Sequence, residues 1–122
     1  MSLLHEDVTK EIIGAAYEVH NILGYGFLEK VYRNAMQVEL IRRGLTAETE
    51  HWIKVIYKDA VVGEYSADLF VADCVIVELK ALKEYHREDE AQLINELKGS
   101  EIEVGMLINF GRERVEYKRM VF

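Results

Sequence analysis

Residues 65–81 read YSADLFVADCVIVELKA, and this stretch limits what the rest of the chain can become. Tyr65, Ala67, Leu69 and Val71 alternate with Ser66, Asp68 and Phe70. Beyond Ala72-Asp73, Val75, Val77, Leu79 and Ala81 alternate with Ile76, Glu78 and Lys80. Side chains on a strand alternate between faces, so the pattern predicts two strands joined by a tight turn. Asp68, Glu78 and Lys80, three ionisable residues at strand positions of so apolar a stretch, break the match between local pattern and side-chain chemistry, and such breaks gather at functional positions. Asp68 and Glu78 are equidistant from Asp73. A three-residue loop, Ala72 to Cys74, sets them opposite each other with Cβ atoms about 4.5–5.5 Å apart. A two-residue loop would pair Asp68 with Val77 and force one member of each pair onto the wrong face. An odd-numbered loop is therefore expected, with Lys80 on the same face as Glu78.

Two carboxylates that close repel unless a cation or a shared proton relieves them. Their oxygens suit hard divalent ions such as Mg²⁺ or Mn²⁺, and the chain offers none of the sulfur and nitrogen clusters that zinc prefers. The competing reading is a solvated strand face on which Glu78 and Lys80 form a weak ion pair. On these residues alone both readings stand.

A chain of 122 residues with 50% apolar residues suffices for one domain with one core. Cys74 is the single cysteine, so no internal disulfide is expected, which fits a reducing cytoplasm. Residues 1–12, MSLLHEDVTKEI, lack a basic region and a long apolar run, so neither a signal peptide nor a membrane span is expected. The net charge of −7 argues against general coating of nucleic acid, which rests on Lys and Arg. It leaves room for an enzyme that engages phosphate locally, because acidic residues at a metal site become effectively positive once the ion binds.

In chain order, Glu6–Leu23 carries Val8, Ile12, Ala15, Ala16, Val19 and Leu23 at helical spacing. Gly24-Tyr25-Gly26 breaks it. A second helix is expected over Phe27–Arg43, with a stripe of Leu28, Val31, Tyr32, Ala35 and Met36 and with Gly44 beyond its end. Strands are expected over Thr46–Tyr57, Val61–Val71, Cys74–Leu82, Glu103–Phe110 and Val115–Phe122, and a third helix over His86–Lys98. The order α-α-β-β-β-α-β-β predicts an α/β (α+β) fold, a mixed sheet flanked by helices. His20 beside an apolar stripe reads as packed rather than catalytic. Glu84, Glu88, Asp89, Glu90 and Glu96 read as a solvated acidic face.

Gly26-Phe27-Leu28-Glu29-Lys30-Val31-Tyr32 resembles the pattern that names the GxxExxY proteins. Ala67-Asp68, Ile76 to Lys80, Ala91-Gln92-Leu93, Ile13 to Ala16, Glu18-Val19-His20 and Gly105 to Phe110 resemble the same family in the same order. These proteins are grouped with the PD-(D/E)xK nuclease superfamily, whose restriction-endonuclease-like core runs α-β-β-β-α-β. The resemblance implies that Asp68 and Glu78 bind metal, that Glu29 completes the metal site, and that Lys80 orients or activates the attacking water. It also implies that Gln92 faces the site from the following helix. Glu96 stands where the family often has an aromatic residue, and Tyr25 where it often has proline. Phosphodiester hydrolysis needs an activated water and relief of charge on phosphate, which Mg²⁺ (or Mn²⁺) supplies.

Three readings follow. The first is a Mg²⁺-dependent nuclease acting on nucleic acid, with DNA as the expected substrate. The second is a catalytically weak or silent module that binds a protein partner or nucleic acid through the same scaffold. The third is an oligomeric module in which Val115–Phe122 pairs with a second copy, a homodimer.

Overall fold

The alternation through residues 60–80 is realised as two antiparallel strands, and a five-strand mixed sheet extends outward from them. The computed structural model describes residues 3–122. Its elements are α1 (Glu6–Leu23), α2 (Glu29–Arg42), β1 (Ala47–Tyr57), β2 (Ala60–Val71), β3 (Val75–Lys80), α3 (Glu88–Lys98), β4 (Val104–Phe110) and β5 (Val115–Val121). The strand order is β1-β2-β3-β4-β5. The β3–β4 pair is parallel and the other three are antiparallel. A parallel neighbour needs a crossover, and α3 supplies it. The expected order α-α-β-β-β-α-β-β holds, as does a mixed sheet flanked by helices.

Each face of the sheet has its own apolar layer. Val8, Ile12, Ala15, Ala16 and Val19 of α1 and Tyr32, Met36 and Leu40 of α2 pack on Leu69, Val71, Val75, Val77, Leu79, Met106 and Ile108. On the opposite face, Leu93 and Leu97 of α3 pack on Ile53, Ala67, Ile76 and Leu107. Gly105 makes that second contact close: a Cβ there would meet Leu97 Cδ1 at 3.1 Å and Leu93 Cδ1 at 3.2 Å.

Tyr65, Ala67, Leu69 and Val71 do not share one face. Leu69 and Val71 join the layer under α1 and α2, whereas Tyr65 and Ala67 join the layer under α3. Glu50, which faces Asp68 from β1, has φ 54°. The ladder passes from Thr49–Leu69 to His51–Ala67 with no pair between them. A left-handed residue inside a strand turns the ribbon locally, as bulge residues do, and the faces exchange there.

Tertiary hydrogen bonds shift several element ends. α2 begins at Glu29, two residues later than expected, because Leu28 is extended (φ −66°, ψ 152°). The Tyr32 hydroxyl holds the preceding loop, donating to Gly24 O at 2.5 Å and accepting from Phe27 N at 3.4 Å. Leu28 and Val31 therefore fall outside the buried stripe, which runs Tyr32, Met36 and Leu40. β3 ends at Lys80 rather than Leu82 because buried Asn109 captures the backbone of Leu82. Asn109 Oδ1 accepts from Leu82 N at 2.8 Å, and Nδ2 donates to Leu82 O at 2.9 Å. Asn109→Ala is expected to lower stability by about 1–3 kcal/mol, measured by urea unfolding. A loss below about 0.5 kcal/mol would contradict this role for the clip.

Candidate functional site

The loop between β2 and β3 is the three-residue one, Ala72 to Cys74, with Ala72 and Asp73 at φ 52° and 56°. Leu69 pairs with Val77, Phe70 with Ile76 and Val71 with Val75, so the next position outward sets Asp68 against Glu78. Backbone pairing stops there because Asp68 Oδ2 accepts the Leu79 N–H at 2.8 Å. Asp68 is thus fixed by a main-chain donor at the point where the two strands part.

Glu78 and Lys80 turn toward α3. A small cleft of about 20 Å³ is lined by Glu78, Lys80, Asp89, Gln92, Leu93, Glu96 and Leu107, which is room for about one water. Lys80 Nζ lies 3.9 Å from Asp89 Oδ1, a loose ion pair at the start of α3. Gln92 and Glu96, one helical turn apart, form the far wall.

Charge is crowded here. Glu78 Oε1 and Glu96 Oε2 are cut off from solvent and have no hydrogen-bond partner among the described residues. Burial pushes the Glu78 carboxyl up to about 9, the negative charges of Asp68 and Glu96 add to the rise, and Lys80 offsets part of it. Burial pushes Glu96 up to about 7, against the pull of a hydrogen bond from Glu78 and the charge of Lys80. Both carboxyls are therefore biased toward their protonated forms, one of the two ways in which crowded carboxylates find relief.

Glu29 is the first residue of α2, where the positive end of the helix dipole favours an acid. Its side chain is exposed at the mouth of the cleft rather than lining it. Partial burial raises its carboxyl, Lys80 lowers it, and Asp68 and Asp89 raise it again, so all three lie within its electrostatic reach. Tyr32 sets this position: its ring stacks on Phe110 at 4.3 Å with an interplanar angle of 6°, and its hydroxyl ties down the glycine loop.

The structure thus gathers Glu78, Lys80 and Gln92 in one cleft, with Asp68 against Glu78 and Glu29 at the rim. Among the described residues, no group of three or more His, Cys, Asp or Glu side chains is arranged to hold a metal ion. The donor chemistry nevertheless fits a hard divalent ion, since the site is built of carboxylate oxygens, two of them buried and unpartnered. Such an ion would relieve the same crowding of charge. His20 serves packing, with Nε2 2.8 Å from Gly111 O and its ring stacked on Phe110.

Two participants were hidden in the acidic run. Asp89 and Glu96 are turned inward, not solvated. A helical reading contained the signal: Asp89, Gln92, Leu93 and Glu96 recur at spacings of three and four, which puts the two acids on the stripe that Leu93 buries.

A family model described as the PD-(D/E)XK nuclease superfamily matches residues 6–120. A comparison with curated proteins found no match. Among solved structures, the crystal structure of SSO0001 is similar in fold, with a TM-score of 0.59 at 20% sequence identity. That match covers 96% of this chain and 59% of the other, so this chain spans less than two thirds of that protein's length. No helix among the described residues is long and apolar enough to cross a membrane.

Proposed function

The chain belongs to the PD-(D/E)XK nuclease superfamily, and from that premise we propose that residues 1–122 form one nuclease domain that hydrolyses phosphodiester bonds in nucleic acid, DNA in the first instance. The observation that carries the reading is the meeting of Asp68, Glu78 and Lys80 where β2 and β3 part, with the buried acceptor oxygens of Glu78 and Glu96 unpartnered. We assign the chain to the GxxExxY branch on Glu29, Tyr32, Asp68, Glu78, Lys80 and Gln92.

Superfamily members generally use divalent metals, and Mg²⁺ (or Mn²⁺) is the ion proposed here, held by Asp68 and Glu78 with Glu29 at the rim. Bound there, it supplies charge relief on the phosphate and a water of lowered pKa. Lys80 sets its ammonium against a non-bridging phosphate oxygen and orients the attacking water. Gln92, in the α3 wall of the cleft, would face the bound phosphate. Water adds to phosphorus and releases a proton to solvent, the ester P–O bond breaks, and the leaving oxygen takes up a proton from solvent. Cys74, the single cysteine, is free; a reducing cytoplasm is the compartment proposed, and the β5 edge is the surface on which a second copy would pair.

The test is cleavage of single- and double-stranded DNA and RNA with Mg²⁺ or Mn²⁺ by wild type, Glu78→Ala and Lys80→Ala. Metal-dependent cutting lost in both variants supports the enzyme, and equal cutting by all three rejects it. A second reading, a silent module binding a partner or nucleic acid, is favoured by the upward shift of Glu78 and Glu96, which opposes the charged forms that a metal needs. Metal titration followed by melting temperature separates the two. Wild type is expected to gain about 2.7 kcal/mol at a hundredfold excess over Kd, and Asp68→Asn to gain nothing. A wild type whose melting point ignores both ions leaves the silent module.

A further inference from the structure

The loop that follows Lys80 and the turn between β4 and β5 lie side by side at the carboxyl ends of the parallel strands. Asn109, paired with Lys80 in the parallel register, clips Leu82 and so holds the loop against β4. Between them is a cleft of about 490 Å³, lined by Lys83, Glu84 and Tyr85 on one side and by Gly111 to Arg114 with Glu116 on the other. The 111–114 turn is closed by a backbone hydrogen bond, Gly111 N donating to Arg114 O at 3.1 Å. A Cβ on Gly111 would come within 2.9 Å of the same oxygen.

Lys83, Arg112 and Arg114 are exposed and have no ion-pair partner within 4 Å among the described residues. Arg33 and Arg43, by contrast, are held by Glu50, Glu39 and Glu11. The cleft sets these three cations against three carboxylates, Glu84, Glu113 and Glu116, of which Glu116 also accepts from Asn109 Nδ2 at 3.4 Å. Arginine grips phosphate through a planar fork and lysine as a point charge. Polar walls with free cations suit a phosphate backbone rather than an apolar peptide.

We propose that this cleft binds the sugar–phosphate backbone of the nucleic-acid strand whose scissile bond lies at Lys80, an inference that rests on the nuclease reading for its choice of ligand. Contacts of this kind set the strand's path without reading its sequence. They would give an acidic protein a local hold on a polyanion beside the site.

The test compares wild type, Lys80→Ala and the triple variant Lys83→Gln/Arg112→Gln/Arg114→Gln. Binding of a short labelled DNA strand, and of the matching duplex, is followed by fluorescence anisotropy in EDTA across a salt series. All three changed side chains are exposed, so the fold is expected to persist, and a matching circular dichroism spectrum and melting point check it. The triple variant is expected to bind at least tenfold more weakly at low salt. Its slope of log affinity against log salt should be shallower by about 2, from roughly 0.7 per phosphate contact on a single strand. Lys80→Ala is expected to lose a single phosphate contact, with a slope shallower by about 0.7, so a loss as large as that of the triple variant overturns the assignment of the cleft. Unchanged affinity and slope in the triple variant overturn the inference, and if wild type cuts DNA at the same time the nuclease reading survives alone. Lost binding in the triple variant with no cleavage by wild type supports the cleft and removes the nuclease. Equal competition by polyglutamate of matched charge overturns the assignment to nucleic acid, as does a wild type that binds no strand at all.

Discussion

Glu78→Gln is expected to make the metal-free protein more stable at neutral pH while it abolishes the metal response and lowers cleavage by about 10²-fold or more. The opposite signs come from one arrangement. Glu78 is partly buried between Asp68 and Glu96, and its carboxyl is pushed up to about 9. An unfolded glutamate titrates near ~4.3. Below that value both states hold the proton, and the site subtracts nothing from stability. As pH rises toward about 9 the unfolded chain releases a proton that the folded chain keeps, so stability falls across that window. Wild type in EDTA should therefore melt higher at pH ~5 than at pH ~8, as far as this site decides it. Glutamine cannot ionise, fills the same volume and offers Glu96 an N–H donor, so the slope flattens and the neutral-pH melting point rises. It also removes a charge from the set that would hold Mg²⁺. Melting curves over this range, with and without metal, read both halves. A glutamine variant less stable than wild type throughout would show that the carboxylates do not repel one another.

Tyr32→Ala is expected to remove about 3–5 kcal/mol of folding stability, a large share of what a domain of this size has. The ring is fully buried, stacked on Phe110 and edge-on to Phe27. Truncation leaves a cavity where α1, α2 and β4 meet and frees the Gly24 carbonyl. Tyr32→Phe keeps the stack and loses only the hydroxyl, for about 0.5–1.5 kcal/mol. It would also loosen the loop that fixes the start of α2, so Glu29 should be less well placed, and metal affinity should fall more than stability does. Urea unfolding gives the first pair of numbers and metal titration the second. A loss below about 1 kcal/mol in Tyr32→Ala would show that the ring does not organise this corner.

Alternation carried most of what could be read in the sequence. The spacing of Asp68 and Glu78 about Asp73 was enough to give the loop length, because a one-residue slip would have moved every side chain of β3 to the other face. The helical stripe of α1 was equally plain, since one continuous face is buried. What escaped was set by contacts distant in sequence. The exchange of faces at Ala67 depends on the backbone of Glu50, seventeen positions earlier. The end of β3 depends on Asn109, and the start of α2 on a tyrosine hydroxyl that reaches back to Gly24. Asp89 and Glu96 were missed for a different reason. Composition alone made residues 84–96 a polar surface, and only the helical phase set by Leu93 and Leu97 separates the inward acids from the outward ones.

β3 pairs with β2 only at Leu69, Phe70 and Val71, so the outer part of the β1–β2 hairpin continues as a two-stranded ribbon. A lone ribbon is marginal in water. This one rests on α3, with Ile53 and Ala67 against Leu93 and Leu97, and Val55 against Gly99. Its amides therefore exchange with solvent through local opening, while those of β3 and β4 wait for global unfolding. Because α3 both cradles the ribbon and carries Glu96, a ligand in the acidic cleft is expected to slow amide exchange in the hairpin, and hydrogen-exchange rates with and without metal check it.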